Sequence, residues 1–167
     1  MNNNLAHEIM EVKEELLQVL NSFDNGNINT VPFEESWTGG QVAEHVLKSA
    51  SGVLEALNST VKPTERNPEE NVKQLGDIFL NFDIKMKSPD FILPSNDPKN
   101  KNSLVQSLGD TLDGIKKVAE TKDLTATCTT FAMPVLGELT RIEFIKFTIF
   151  HTKRHTHQLK NIINHLN

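Results

Sequence analysis

Residues 150–159 read FHTKRHTHQL and lie within a run of sequence whose apolar spacing predicts a long helix. Side chains four residues apart on a helix project from the same face, so His151 and His155 are expected to lie one above the other. Two imidazoles at this spacing can bind one divalent metal ion. They can also be buried histidines that hydrogen-bond to a neighbouring helix, and the pair alone does not separate these two interpretations.

This helix has a well-defined beginning. Thr140 and Glu143 match the capping-box pattern, in which each side chain accepts a hydrogen bond from the other residue's backbone N–H. Because a buried imidazole requires a polar partner, the position of the histidines relative to the core matters. Steps of three and four residues trace a stripe that is apolar at both ends and polar in its middle: Phe144, Thr148, His151, His155, Gln158 and Ile162.

A third histidine lies on a second predicted helix. Thr38 and Gln41 match another capping box, and the helix that begins there carries His45 on its apolar face. If the two helices are neighbours, His45, His151 and His155 converge in the protein interior. Three neutral nitrogen ligands with a free fourth position are typical of catalytic zinc sites and also suit nickel, iron or manganese. We therefore predict a divalent-metal site (Zn, Ni, Fe or Mn) at these three histidines.

The remaining polar and aromatic residues near these motifs suggest supporting roles. Gln158, one turn beyond His155, is expected to orient a histidine ring or a bound water, or else to be a polar core residue. His157 is two residues from His155 and therefore projects from a different face, where a surface position and a ligand-orienting position both remain open. His7 and His165 are expected to be solvated, whereas Trp37 is expected to plug the end of the bundle.

The rest of the sequence predicts an all-α fold, a four-helix bundle with long connections and an extra short helix. Amphipathic helices are expected at residues 5–23 and 104–119, in addition to the two helices that carry histidines. A shorter helix is expected at residues 68–82. The length of 167 residues predicts one domain, residues 1–167.

Two connections are long enough to carry structure of their own. Residues 88–102 are rich in proline and asparagine, and their apolar residues Phe91, Ile92 and Leu93 are expected to pack as an anchor. The same three residues could support a homodimer. Residues 124–137 are β-branched and are expected to form either a short hairpin or a tucked loop.

Composition excludes several classes of function. A net charge of −5 and a pI near 5.7 argue against a nucleic-acid-binding surface. No apolar run reaches the length of a membrane span, and the polar start, residues 1–4, does not resemble a signal peptide. The single cysteine, Cys128, excludes an internal disulfide and is expected to be a buried bystander. We therefore expect a cytoplasmic protein with no nucleic-acid or membrane partner.

Two segments together resemble the DinB-like (DinB/YfiT) superfamily of metalloenzymes. The first runs from Trp37 to His45, and the second is the terminal H-x-x-x-H-x-x-Q pattern formed by His151, His155 and Gln158. The order, separation and helical context of the segments agree with that superfamily. The resemblance implies a four-helix bundle in which the three histidines bind a divalent metal.

The resemblance also implies thiol chemistry, because characterised relatives include S-transferases and an isomerase that use a low-molecular-weight bacterial thiol. Its partners would then be a small-molecule thiol and an electrophile. A metal-dependent hydrolase is an alternative, although no general base is expected near the histidines unless Glu44 turns toward them. A metal-binding bundle without turnover is another. A zinc peptidase is excluded, because that motif requires glutamate where Thr152 follows His151.

Overall fold

The computed structural model describes residues 2–167, so Met1, part of the polar start, lies outside the described residues. The described residues form a mostly helical fold with a small antiparallel sheet, which confirms the predicted fold class and the extra short helix. The helices are α1 (Asn2–Asn21), α2 (Gly39–Asn58), α3 (Val72–Phe79), α4 (Lys101–Thr121) and α5 (Arg141–Leu166). The strands are β1 (Val61–Lys62), β2 (Thr127–Met133) and β3 (Gly137–Thr140).

The four long helices pack around one apolar core in the order α1, α4, α2, α5, and α5 closes the ring against α1. The first two helices of the chain therefore lie on a diagonal, and the topology is not simple up-and-down. The short helix α3 packs on the outside of α5. Because α2 and α5 are direct neighbours, residues on their facing sides can meet in the interior.

Both predicted capping boxes are present and define where the two neighbouring helices begin. The Thr38 side chain accepts a hydrogen bond from the Gln41 amide (3.1 Å), and the Gln41 side chain accepts one from the Thr38 amide (3.0 Å). The Thr140 hydroxyl accepts from the Glu143 amide (3.2 Å), and the Glu143 carboxylate accepts from the Thr140 amide (2.9 Å). Each box satisfies backbone N–H groups that the first helical turn leaves unpaired.

Replacing Thr38 or Thr140 with alanine is expected to lower the free energy of unfolding by about 1 kcal/mol each. The loss at Thr140 should be the larger, because its hydroxyl also donates to the carbonyl of Pro68 (2.6 Å). Urea denaturation of each variant measures the change. Thr111→Ala, in the middle of α4, is the matched control and should not lower the free energy of unfolding, because alanine favours the helix interior more than threonine does. If Thr38→Ala is as stable as the control, the cap at α2 does not stabilise the helix.

Glu143 also forms an ion pair with Arg66, and its carboxylate is the most buried charged group among the ion pairs of the described residues. Its side chain is fully buried and accepts two hydrogen bonds from the Arg66 guanidinium, both of 2.7 Å. The Asn71 amide donates a further hydrogen bond of 2.9 Å to the same carboxylate. The carboxylate therefore joins the start of α5 to the segment that leads into α3.

Of the two structures expected for residues 124–137, the hairpin is the one observed. Strands β2 and β3 pair antiparallel, with Met133 opposite Gly137, and Gly137 has a φ of +76°, a left-handed value that favours glycine. The third strand, β1, was not predicted. It contains only Val61 and Lys62, which is too short for a periodic pattern to reveal.

The connection after α3 differs from the sequence prediction in two respects. The helix ends at Phe79, and Phe82 lies beyond it. Phe91 and Leu93 are exposed, so the prediction that residues 91–93 pack as an apolar anchor is wrong for these two side chains. Backbone carbonyls, rather than side chains, attach this segment to the bundle. A homodimer formed through these residues stays a prediction.

None of the helices within residues 2–167 combines the length and the apolar character that a membrane span requires.

Candidate metal centre

The structure brings together the three histidines that the sequence singled out. His45 lies on α2, and His151 and His155 lie one turn apart on α5. Each pair of Nε2 atoms among the three residues is separated by 3.1 Å. The residues are 2%, 5% and 8% exposed, respectively, so their ring nitrogens converge at a point that is almost closed to solvent.

Hydrogen bonds on the far side of two rings determine which nitrogen carries the proton. The Nδ1 atom of His45 lies 2.9 Å from the carbonyl oxygen of Ile92, which can only accept, so Nδ1–H donates and Nε2 keeps a lone pair. The Nδ1 atom of His155 likewise donates to the side-chain oxygen of Gln158 at 2.8 Å. Gln158 is thus one of the residues that orients a histidine ring, which was one of the two roles expected for it.

These tautomers disfavour the interpretation of the cluster as ordinary buried histidines. With Nδ1 protonated in both rings, the Nε2 atoms of His45 and His155 present lone pairs to each other at 3.1 Å. No proton lies between them, so this contact cannot be a hydrogen bond. Two buried lone pairs that face each other are unfavourable unless a cation lies between them.

The residues fit a divalent ion. Tetrahedral bonds of about 2.1 Å place ligand nitrogens about 3.4 Å apart, so an outward shift of a few tenths of an ångström adapts the observed 3.1 Å spacing. Among residues 2–167, the three histidines are the group whose ligand atoms lie close enough together to hold an ion. Three neutral nitrogen donors suit zinc, nickel, iron or manganese and do not select among them.

Burial keeps the three imidazoles in the neutral form that binds metal. It lowers the pKa of His45, although the hydrogen bond to Ile92 opposes the shift. Burial lowers the pKa of His151 well below its ordinary value, helped by the positive charge of the neighbouring histidines and of Arg154. Burial and the charges of His45 and Arg154 lower the pKa of His155 to about 3, against a smaller opposing effect of Gln158. At neutral pH all three lone pairs are therefore available.

Aromatic side chains surround the cluster. Trp37, expected to plug the bundle end, packs its half-buried ring against His45, with centroids 5.2 Å apart. Phe147 stacks on His151 at 5.2 Å, and Phe79 of α3 meets the same ring edge-on at 5.9 Å. The spacing of Phe147, one turn before His151, was a signal for this contact. Phe79 gave no such signal, because its contact depends on how α3 docks.

The other three histidines do not join the cluster. His157 is exposed and stacks on Phe82, with ring centroids 4.6 Å apart and planes inclined by 18°. His165 is exposed near the end of α5, and His7 is exposed on α1 beside Glu11. The helical phase inferred from the sequence therefore separates His157 from the converging residues.

Neither Glu44 nor Cys128 is placed to act as a general base or a nucleophile at the three histidines. Glu44 pairs with Lys99 at 2.7 Å and accepts a hydrogen bond from the Ser95 amide at 2.8 Å, so its carboxylate is turned away from the histidines, as predicted. Cys128 is fully buried in β2, and burial raises the pKa of its thiol. A buried thiol with a raised pKa is a poor nucleophile.

One comparison with known proteins identifies the family of this chain. The model of the DinB superfamily matches residues 8–159, a range that contains all three converging histidines and Gln158. No curated protein and no solved structure matches the sequence. The match covers most of the chain, including every long helix in whole or in large part, and the chain therefore belongs to the DinB superfamily.

Proposed function

We propose that this protein is a divalent-metal-dependent enzyme that acts with a low-molecular-weight thiol, as an S-transferase does. The observation that carries the proposal is the convergence of three Nε2 atoms, 3.1 Å apart, in a buried site. Membership of the DinB superfamily supports metal binding by this cluster. The thiol follows from the resemblance to characterised relatives and from the charge of the site.

The histidines and their neighbours would each contribute a defined part of the site. His45, His151 and His155 would hold the ion, and the Ile92 carbonyl and Gln158 hold two of the rings in the orientation that this requires. A divalent ion bound there would favour the thiolate form of a thiol at neutral pH. Because all three protein ligands are neutral, they leave the charge of the ion uncompensated, which favours an anion at the free position.

The surroundings of the site also favour an anion. The positive charge of Arg154 acts on both His151 and His155, while the rings of Trp37 and Phe147 pack against His45 and His151. In the transfer reaction, the thiol loses its proton to solvent and its sulfur bonds to a carbon of the electrophile. The leaving group then departs with the electron pair of the broken bond. The protein's residues hold and orient the reactants for this step.

Thiol conjugation tests the proposal. At pH 7 a thiol of ordinary pKa is only about 3% ionised, so full ionisation would accelerate its reaction by at most about thirtyfold beyond any effect of proximity. Zinc-loaded protein should therefore speed the conjugation of cysteine to 1-chloro-2,4-dinitrobenzene, followed by absorbance, and EDTA should stop the acceleration. Variants His155→Ala and His157→Ala provide the matched pair, of which only the second should remain active.

Other outcomes would favour the alternatives. Hydrolysis of simple esters without any thiol, and no conjugation with any thiol tested, would indicate a metal-dependent hydrolase. The position of Glu44 weakens that alternative, because the carboxylate is held by Lys99 and is not placed as a general base. Stoichiometric metal without either activity would indicate a metal-binding bundle that has no turnover.

A further inference from the structure

Residues 81–93, which follow α3 and include the beginning of the proline- and asparagine-rich connection, are here called the strap. Its own main-chain hydrogen bonds are local turns, such as Ile84 to Asn81 (3.3 Å) and Leu93 to Asp90 (3.2 Å). Apart from a single 3₁₀ turn at Asp90–Ile92, it has no helix or strand. Side chains from other parts of the protein must therefore hold it in place.

One end of the strap is attached to α5 by Arg154. The guanidinium of Arg154 donates to the carbonyl oxygen of Asn81 at 2.9 Å and to the carbonyl oxygen of Ile84. A planar guanidinium can bridge two acceptors in this way, whereas an ammonium group presents a single point charge. Arg154 lies between His151 and His155 in the sequence of α5. The helix that carries two of the three histidines therefore also holds this end of the strap.

The other end of the strap is attached to α2. His45 donates through Nδ1 to the carbonyl oxygen of Ile92 at 2.9 Å, and Lys48 donates to the carbonyl oxygen of Leu93 at 2.8 Å. All of these attachments are made to backbone carbonyls, so they do not depend on the identity of the strap's side chains. The strap thus bridges the two helices that carry the converging histidines, and one of its attachments is a histidine of the cluster.

The strap has little other packing. Phe82, Ile84, Met86, Phe91 and Leu93 are all exposed, although Phe82 stacks on His157 and Phe91 contacts Phe131. A segment with few buried apolar contacts and only local main-chain hydrogen bonds opens at a low cost in free energy. The three histidines, in contrast, are almost fully buried. Access of a small molecule to them therefore requires some element beside them to move, and the strap, with its exposed side chains and local main-chain hydrogen bonds, is loosely held.

The hydrogen bond from His45 to Ile92 links the strap to the ion. Coordination through Nε2 leaves the proton of a neutral imidazole on Nδ1, the nitrogen that donates to Ile92. Without an ion, the facing Nε2 lone pairs of His45 and His155 are relieved if the proton of His45 moves to Nε2, and that tautomer cannot donate to Ile92. An ion bound to His45 therefore favours the attached strap, and by thermodynamic reciprocity the attached strap favours the bound ion.

We propose that the strap is a gate whose closure is coupled to metal loading through His45, and that Arg154 is a positioning residue that fastens the gate from the ligand-bearing helix. The proposal rests on the proposed binding of metal by the three histidines. It adds that access of the thiol and the electrophile is controlled by residues 81–93, which detach as a unit from α2 and α5.

Hydrogen–deuterium exchange tests the coupling directly. Protein is prepared with and without zinc, its zinc content is determined by mass spectrometry, and the exchange of amides in residues 81–93 is compared with that in α1. The strap amides should exchange about tenfold more slowly in the zinc-loaded protein, a factor typical of coupled sites, whereas α1 should change little. Equal strap exchange in the two forms, with one zinc bound per chain, would overturn the gate and leave the metal site standing.

One substitution separates the effect of the hydrogen bonds from Arg154 to the strap from the effect of its positive charge. Arg154→Lys keeps the positive charge beside the histidines but removes the planar guanidinium, whose two nitrogens donate separately to the carbonyls of Asn81 and Ile84. It should lose the zinc-dependent protection of the strap and release zinc to a chromogenic chelator about tenfold faster. Lys153→Met, at the exposed neighbouring position, is the control and should behave as the parent protein. Zinc release from Arg154→Lys at the parent rate would overturn the role of Arg154, whereas failure of the parent to bind zinc would overturn the metal site itself.

Discussion

Alanine at His155 is expected to abolish stoichiometric binding of a divalent ion, whereas alanine at His157 is expected to leave it intact. The two residues are separated by one position in the sequence, yet the Nε2 atom of His155 lies 3.1 Å from those of His45 and His151. His157 is exposed and stacks on Phe82. Loss of one of three protein ligands should weaken binding by more than about 100-fold, since even residues that only support ligands account for 10- to 100-fold.

Metal analysis of the purified variants after dialysis against zinc gives the result. Alanine at His45 or His151 should have the same effect as alanine at His155, because each removes one of three equivalent donors. Circular dichroism of each variant verifies that the helices remain. Loss of metal in His157→Ala, with metal retained in His151→Ala, would show that the ligand assignment is wrong.

The second large effect is expected at Glu143, which is fully buried and bonded to Arg66. Glu143→Gln removes the negative charge but leaves the Arg66 guanidinium in place, and breaking a buried pair in this way costs about 3–5 kcal/mol. Arg66 is 28% exposed and can regain some water, so the lower end of that range is expected. Urea denaturation at pH 7 measures the loss. The matched control is Asp77→Asn in the exposed pair Lys73–Asp77, where a change of no more than about 0.5 kcal/mol is expected.

The same carboxylate predicts how stability depends on pH. Burial alone would raise the pKa of Glu143, but hydrogen bonds from Arg66 and from the amides of Thr140 and Asn71 hold this pKa below the ordinary value of 4.5. The folded protein therefore binds the proton less readily than the unfolded chain. The stabilisation is fully present above pH 4.5 and is lost as the pH falls through the lowered pKa. Glu143→Gln should lose less stability than the parent protein between pH 5 and pH 3; equal losses would show that Glu143 does not contribute to the acid sensitivity.

Much of the candidate site could be predicted because the signals that define it are local. The capping box at Thr140 sets where α5 begins, and from there helical geometry places His151 and His155 on one buried face. The inference for His45 required one further assumption, that its helix is a neighbour of α5, which the packing confirms. Residue spacing and helix caps thus account for the position of all three histidines.

The features that were missed depend on contacts between distant parts of the chain. The contact of Phe79 with His151 follows from how α3 docks, and the hydrogen bond from His45 to Ile92 joins residues 47 positions apart. No periodic pattern encodes a backbone carbonyl as a hydrogen-bond partner. Phe91 looked like a core residue because it is large and apolar, but the chain there turns its carbonyl groups, rather than its side chains, toward the bundle.

The packing of α2 against α5, which lies about a hundred residues later in the chain, has a consequence for the order in which the protein matures in the cell. His151 and His155 lie 106 and 110 residues after His45 in the chain. Translation therefore has to proceed past residue 155 before all three histidines can converge. A nascent chain that displays α2 alone offers a single imidazole, which holds a divalent ion only weakly. An ion held by all three histidines, as proposed, would therefore be acquired late, after α5 has been synthesised and has packed against α2.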